Sequence, residues 1–439
     1  MTSTAIILAA GFGTRMKSAL PKALHPIAGR PMLRHLLASC EAVFDRIVVV
    51  TGPDMDAVAK IAAPHTVVVQ HERLGTAHAA LQAADHFGDG EVAVLYADNP
   101  LITPATLGRL LDRRAAPDIG LALLAMRPAD PGRYGRVVAN GGLVERIIEW
   151  AEADIVEREI GLCNAGVLCA SAGTMRRWLG AVQNDNAKAE YYLTDLVALA
   201  RAEGEHVAAV EAPEAELRGI NSRVELAAAE ATVQSWLRVA AMEAGVTMTS
   251  PDSVFLCADT SFEQDVSIGP DVVFGPGVTV RTGAVIKSFC HIEGAEIGPG
   301  AIIGPFARLR PGTKIGAGAH IGNFVELKAT DFGAGAKASH LSYLGDSAIG
   351  AGSNIGAGTI TCNYDGYDKH RTTIGENVFI GSDSVLVAPI TIGDGAFVTA
   401  GSVVTRDVAP DAMAFGRAQQ IDKPGRAAEF HALHRKQKG

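Results

Sequence analysis

The chain has 439 residues, which at roughly 100–200 residues per domain allows two or three domains with sizeable cores. It is 48% hydrophobic and 20% charged with a formal net charge of -9, a balance that excludes nucleic acid as a general partner. Its six cysteines include no C-x-x-C pair, which argues against a zinc site and suits a reducing compartment. The opening run MTSTAIILAAGFGTRM has no basic n-region or cleavage pattern, and no stretch approaches about 18 apolar residues. Neither a signal peptide nor a membrane span is expected, and the protein is expected in the cytoplasm.

The first half alternates apolar strands with helical segments. Candidate strands are Ala5–Leu8, Ile47–Val50, Val67–Val69, Val92–Tyr96 and Leu121–Ala125. They are continuous β-branched runs, as in parallel strands buried on both faces. Helix patterns such as PMLRHLLASCEAV, with Pro31 near its start, lie between them. This order predicts an open α/β sheet that binds ligands at the carboxyl ends of its strands.

The first strand runs directly into LAAGFGTRM, Leu8–Met16. Gly11 and Gly13 permit a tight loop whose amides face an anion, Arg15 adds a fixed cation, and Lys22 lies within reach as a second. The motif is not GxGxxG, so a nicotinamide cofactor is not favoured. Asp98 ends the strand VAVLYAD, where a carboxylate can hold Mg²⁺ on nucleotide phosphates.

An Ala-rich run, Val224–Gly245, predicts a connecting helix of roughly 20 residues or ~30 Å. The period then becomes six, as in IGPDVV, IGPGAI, IGAGAH and IGDGAF. Hexapeptide repeats predict a parallel β-helix, with each unit giving one short strand and one corner. The inward aliphatic fills a narrow core and glycine relieves the corner. That accounts for 48 glycines and only 5% aromatics. The register slips to five at Ile292–Ile297, Leu327–Phe332 and Leu344–Ile349, and Thr361–Thr373 is expected to leave the coil as a loop. Polar runs that a scaffold does not need interrupt the repeats. RLRPG carries Arg308 and Arg310, NFVELK carries Asn323 and Lys328, and ASHLSYLGD carries His340 and Tyr343. Asn354, Asn363 and Tyr364 follow.

Over nearly the whole chain these motifs resemble the family of bifunctional N-acetylglucosamine-1-phosphate uridylyltransferase / glucosamine-1-phosphate N-acetyltransferases. The resemblance implies a Rossmann-like nucleotidyltransferase sheet over 1–223, a linker helix over 224–245, and a left-handed parallel β-helix acetyltransferase domain with a C-terminal tail over 246–439. It implies that Leu8–Gly11, with Gln70, Gly75 and Thr76, holds the uracil end. Arg15 and Lys22 would neutralise the phosphates of UTP, Asp98 and Asn221 would ligate Mg²⁺, and Tyr96, Gly135, Glu149 and Asn164 would contact the nucleotide and sugar. In the second half, Arg310 and Lys328 would bind the sugar phosphate, Tyr343 and Asn354 would position the sugar, and His340 would act as general base, a task that suits histidine as a residue type. Ala357, Asn363, Tyr364, Ser382, Ala400 and Arg417 would contact acetyl-coenzyme A. The basic stretch Lys423–Gly439 would lie over the coenzyme phosphates, and the β-helix would form a homotrimer. Ala97, Ala151, Phe12 and Ser222 depart from the family's common choices. The competing reading is a sugar nucleotidyltransferase with a non-catalytic β-helix.

Overall fold

The computed structural model describes residues 2–186 and 189–435. The chain parts into two compact units, Met1–Trp236 and Leu237–Gly439. The division falls inside the Ala-rich helix, which runs over Arg223–Glu243.

Among the described residues the first unit holds a nine-stranded sheet. Its strands are β1 (Thr4–Leu8), β2 (Arg46–Thr51), β3 (Thr66–Val69), β4 (Glu91–Tyr96), β5 (Ile119–Met126), β6 (Arg136–Asn140), β7 (Leu143–Ile148), β8 (Cys163–Ser171) and β9 (His206–Glu211). They lie in the order β3-β2-β1-β4-β8-β5-β9-β7-β6. Neighbouring residues of one strand enter opposite cores. Ile7, Val49 and Leu95 pack with Leu33, Leu36 and Leu37, whereas Ile6, Val48 and Val94 pack with Phe87, Trp178 and Leu196. Both faces are covered, so the strands read as unbroken apolar runs. Each such buried aliphatic contributes about 1.5–3 kcal/mol.

The sheet is mixed rather than purely parallel. The strand β8 runs antiparallel to both β4 and β5, and β6 pairs antiparallel with β7. β8 is as apolar as its parallel neighbours because it too is buried on both sides, and hydropathy does not carry strand direction. Its pairing with β5 is irregular between Asn164 and Leu168. The parallel register Leu8↔Tyr96 sets the ends of β1 and β4 side by side, so their following loops share one edge.

The second unit is a left-handed β-helix with three faces of ten, eight and eight parallel strands among the described residues. One inward column runs Ile268, Ile286, Ile303, Ile321, Ala338, Ile355, Ile380 and Val398, each paired with the next. All eight are buried, so one aliphatic per face per coil builds the core. The three five-residue steps are tightened corners turned by Gly294, Ala329 and Asp346 at φ 53°, 47° and 47°. The loop expected over Thr361–Thr373 is shorter. Ile360–Cys362 and Thr372–Ile374 stay in strands because they continue the columns, and only 363–371 leaves the coil. Among the described residues no helix is long and apolar enough to cross a membrane.

Candidate active sites

The loops after β1 and β4 open onto a cleft of about 410 Å³ in the first unit. It brings together Leu8, Gly11, Arg15, Lys22, Gln70, Gly75, Thr76, Tyr96, Asp98 and Asn221. Gly13 sits at φ 64°, and a methyl group there would lie 2.5 Å from Lys22 Cβ, so glycine is needed both for the turn and to let Lys22 pack beneath it. Lys22 Nζ donates to the Asp98 carboxylate and to Asn221 Oδ1, the latter at 2.6 Å. Arg15 Nη2 donates to the same Asn221 oxygen at 2.7 Å.

Asn221 is held from both sides. The preceding Ile220 N–H donates to Asp98 O at 2.8 Å, which ties this segment to the end of β4. Its own N–H donates to Glu225 Oε2 at 2.7 Å, and Ser222 Oγ accepts from Glu225 N at 3.2 Å. This is a capping arrangement at the start of the Arg223–Glu243 helix. Ser222 therefore serves as a cap.

The opposite wall is equally constrained. Buried Gln70 donates to Gly75 O at 3.2 Å and contacts His78 Nδ1 at 3.0 Å. Gly75 has φ 123°, and a methyl there would stand 2.4 Å from Tyr191 O. Burial pushes the Tyr96 phenol up, with a hydrogen bond from Thr76 acting the other way. Ala97 lines the same cleft and its N–H donates to Leu8 O at 3.0 Å, so its methyl narrows the wall while the strand edge stays paired.

Gly135, Glu149 and Asn164 form a second group outside the lining of that cleft. Asn164 N donates to Gly135 O at 2.8 Å, and a methyl on Gly135 would lie 3.7 Å from Glu149 Oε1. Asn164 Oδ1 accepts from Gly166 N at 3.0 Å within the irregular stretch of β8. Gly166 in turn lies against the Tyr96 ring, where a methyl would come within 2.6 Å of Cε2. A bulge that re-aims side chains thus sets this group beside the cleft. Ala151 is exposed and does not line it.

Two hard oxygen donors, Asp98 Oδ2 and Asn221 Oδ1, converge on one positive charge, here the Lys22 ammonium. That donor set fits Mg²⁺, which takes one or two protein oxygens and completes its shell with water and phosphate. Among the described residues no group of three or more His, Cys, Asp or Glu side chains could hold a metal alone.

In the second unit, consecutive coils stack the polar residues. His340 Nδ1 meets Asn323 Oδ1 at 2.7 Å, the two being register partners. An amide oxygen accepts from N–H, so this contact assigns Nδ1 as the donor and leaves Nε2 facing away from Asn323. The register Lys337↔Asn354↔Phe379↔Phe397 continues along the same corner, so His340, Ala357, Ser382 and Ala400 form one column. Arg417 joins its end: a methyl on Gly401 would lie 3.8 Å from Arg417 Cδ.

The neighbouring corner gathers charge. Arg310 donates to Glu326 at 3.0 Å, and Lys328 donates to both Asp346 oxygens at 3.1 and 3.0 Å. Asn363 Nδ2 donates to Asp346 Oδ2 at 2.5 Å. Burial acts to raise the Asp346 pKa, but the hydrogen bonds from Lys328 and Asn363 outweigh it and hold the carboxyl below its usual range. Gly345 leaves room for Tyr343 and Asn363, because a methyl there would lie 2.5 Å from Tyr343 Oη and 2.8 Å from Asn363 Nδ2. Exposed Tyr364 begins the ejected loop, which folds on itself through Asp365 and His370 at 2.7 Å. Asn354 lies on the His340 face, two coils from Asn323.

Sequence reasoning missed Asp346, Gly345 and Arg73. The slip at Leu344–Ile349 signalled the first two, since the tightened corner turns on Asp346. Arg73, in a charged run His71–Arg73, gave no signal. The basic C-terminal stretch forms an exposed helix over Arg426–Arg435, and residues 436–439 lie outside the described residues.

Residues 5–160 match the family model of the MobA-like NTP transferase domain. Residues 294–329 match that of the bacterial transferase hexapeptide (six repeats), and 371–406 that of the hexapeptide repeat of succinyl-transferase. The bifunctional protein GlmU of Gluconacetobacter diazotrophicus is 66% identical, with 99% of this chain and 95% of the relative covered. That of Acidiphilium cryptum is 64% identical over 98% of each. That of Granulibacter bethesdensis is 63% identical over 98% of this chain and 96% of its own. With identity at this level sustained across both units, the chain belongs to the family of bifunctional GlmU proteins.

Proposed function

We propose that the two units make UDP-N-acetylglucosamine in two steps, acetyl transfer from acetyl-coenzyme A to glucosamine 1-phosphate and then uridylyl transfer from UTP. The observation that carries this reading is that one chain holds two separate polar sites, the Lys22–Asp98–Asn221 cleft and the His340 corner. A nucleotidyltransferase with an inert β-helix has no use for a histidine oriented by an amide or for Lys328 and Arg310 on adjacent coils.

In the acetyl transfer, the sugar ammonium first releases one proton to solvent, and His340 Nε2 takes a second proton from the amine as its nitrogen attacks the thioester carbonyl. The C–N bond forms, the C–S bond breaks, and the proton taken by His340 passes to sulfur, so that coenzyme A leaves as the thiol. Arg310 and Lys328 hold the sugar phosphate, while Tyr343 and Asn354 orient the ring. Asn363, Tyr364 and the column Ala357–Ser382–Ala400, with Arg417, hold the acyl donor. The tail helix lies over the donor's phosphates in this reading.

In the uridylyl transfer, a phosphate oxygen of N-acetylglucosamine 1-phosphate attacks the α-phosphorus of UTP in line and pyrophosphate leaves. Gln70, Gly75 and Thr76 hold the base against the Leu8–Gly11 loop, and Gly135, Glu149 and Asn164 hold the sugar. Arg15 and Lys22 neutralise the phosphates, with Lys22 exchanging Asp98 for phosphate oxygens. Mg²⁺, held by Asp98 and Asn221, supplies further charge neutralisation at the phosphates when bound. The functional domains are 1–223 and 246–439, joined by 224–245. Hexapeptide coils support assembly as a homotrimer, and cysteines that form no disulfide among the described residues support a cytoplasmic setting.

The test is product analysis by mass spectrometry with glucosamine 1-phosphate, acetyl-coenzyme A, UTP and Mg²⁺. UDP-N-acetylglucosamine is expected. If the protein makes no acetylated sugar but consumes supplied N-acetylglucosamine 1-phosphate, the β-helix is a scaffold.

A further inference from the structure

The cleft of the first unit contains an arginine that the mechanism above does not use. Arg73 Nε donates to Ala10 O at 2.8 Å, inside the glycine loop. Its guanidinium stacks on the Phe12 ring at 3.6 Å from the centroid. It also abuts Gly52, directly after β2, where a methyl group would stand 2.2 Å from Nη2. Phe12 is itself 62% exposed, so the ring's other surroundings do not hold it. Nη2 is buried and makes no hydrogen bond among the described residues. Arg73 also lines the cleft, so the clamped loop and the arginine stand together at the edge of the ligand space.

We propose that Arg73 is a positioning residue for the nucleotide: it clamps the Ala10–Gly13 loop through Ala10 O and Phe12 and so holds that loop in place for the bound UTP. This inference rests on reading the cleft as the uridylyltransfer site. Phe12, a departure from the family's common choices, takes its place here as the face on which the clamp stacks. Gly52 supplies the space. Lysine cannot replace arginine at such a site, since it lacks the planar group needed to stack on Phe12 while donating to Ala10 O.

The test measures KM for UTP, KM for N-acetylglucosamine 1-phosphate and kcat on the full chain, with acetyl transfer by the same sample as a control for folding. Arg73→Ala is expected to raise KM for UTP about tenfold, the loss of one charge-assisted hydrogen bond plus a stacked contact. KM for the sugar phosphate and acetyl transfer stay unchanged. Arg73→Lys recovers less than half of the loss. Gly52→Ala, which forces the guanidinium out without removing it, raises KM for UTP in the same way, and Gly52→Ala/Arg73→Ala is no worse than Arg73→Ala alone. Phe12→Tyr keeps the wild-type KM and Phe12→Ala does not. An unchanged KM for UTP in Arg73→Ala, or additive effects in the double variant, overturns the clamp. A wild type that transfers no uridylyl group overturns the reading of the cleft instead.

Discussion

Lys22 Nζ donates to Asn221 Oδ1 at 2.6 Å across 199 residues of chain, and the same ammonium pairs with Asp98. The pair closes a ring in which a lysine after the glycine loop, the carboxylate ending β4 and an amide before a helix cap share one charge. Among the described residues, Lys22 is the cation paired with the Asp98 carboxylate. Lys22→Ala should therefore cost uridylyl transfer about 10²–10³-fold in kcat, the range for losing one preorganised charge at a reacting centre. Acetyl transfer should be unchanged, and a coupled pyrophosphate-release assay reads the first while a thiol assay reads the second.

Chelation separates the two reactions in another way. In the proposed site the metal would meet one carboxylate and one amide, so the ion would be held with the nucleotide rather than before it. EDTA in excess of Mg²⁺ should stop pyrophosphate release and leave coenzyme A release intact, and added Mg²⁺ should restore the first fully. Persistent UTP turnover in EDTA would remove Asp98 and Asn221 from the metal site.

His340→Ala should lower acetyl transfer by about 10²–10⁴-fold, the usual contribution of a placed general base. Asn323→Ala removes the acceptor that fixes the proton on Nδ1, at 2.7 Å. Its expected effect is smaller, a loss of about tenfold in kcat with little change in KM, because the imidazole then samples both tautomers. Uridylyl transfer from supplied N-acetylglucosamine 1-phosphate should be normal in both variants.

Asp195 opens the helix Asp195–Ala202 in the first unit. Burial, then the charges of Asp185, Glu149 and Glu152, push its carboxyl up from 3.8 to about 6. The folded chain thus keeps a proton that the unfolded chain has released, and the stability linked to it is complete below pH 3.8 and lost as pH rises through 6. Asp195→Asn should raise the first unit's unfolding midpoint by about 2–4 °C at pH 7.5 and leave it unchanged at pH 3.5. Scanning calorimetry at the two pH values checks this.

The elements legible in the sequence were those whose burial is periodic. Ile268, Ile286 and Ile303 each occupy the same point on one face of the coil, so the six-residue period displayed the fold directly. The runs around Ile6 and Val94 likewise displayed buried strands. Strand direction was not legible: Val167 and Leu168 in β8 are as apolar as Val94 and Leu95 in β4, yet the two strands run antiparallel. In the cleft, Gly13 and Lys22 were readable because a tight loop needs glycine and phosphates need cations. Arg73 was not, since a charged residue in a polar run looks solvated until Gly52 and Phe12 are brought beside it.

On the proposed reading of the acetyl-transfer site, the corner carrying His340, Ala357, Ser382 and Ala400 also works as a ruler. Successive coils are spaced by about 4.8 Å, so the three steps from His340 to Ala400 span roughly 14 Å. An acyl donor laid along this edge is graded by its length in whole coils. Trimming the donor from its nucleotide end should then weaken binding in discrete drops as each rung is vacated. The acetyl group itself stays at the His340 rung, and donors differing only in the acyl group should share the same reach.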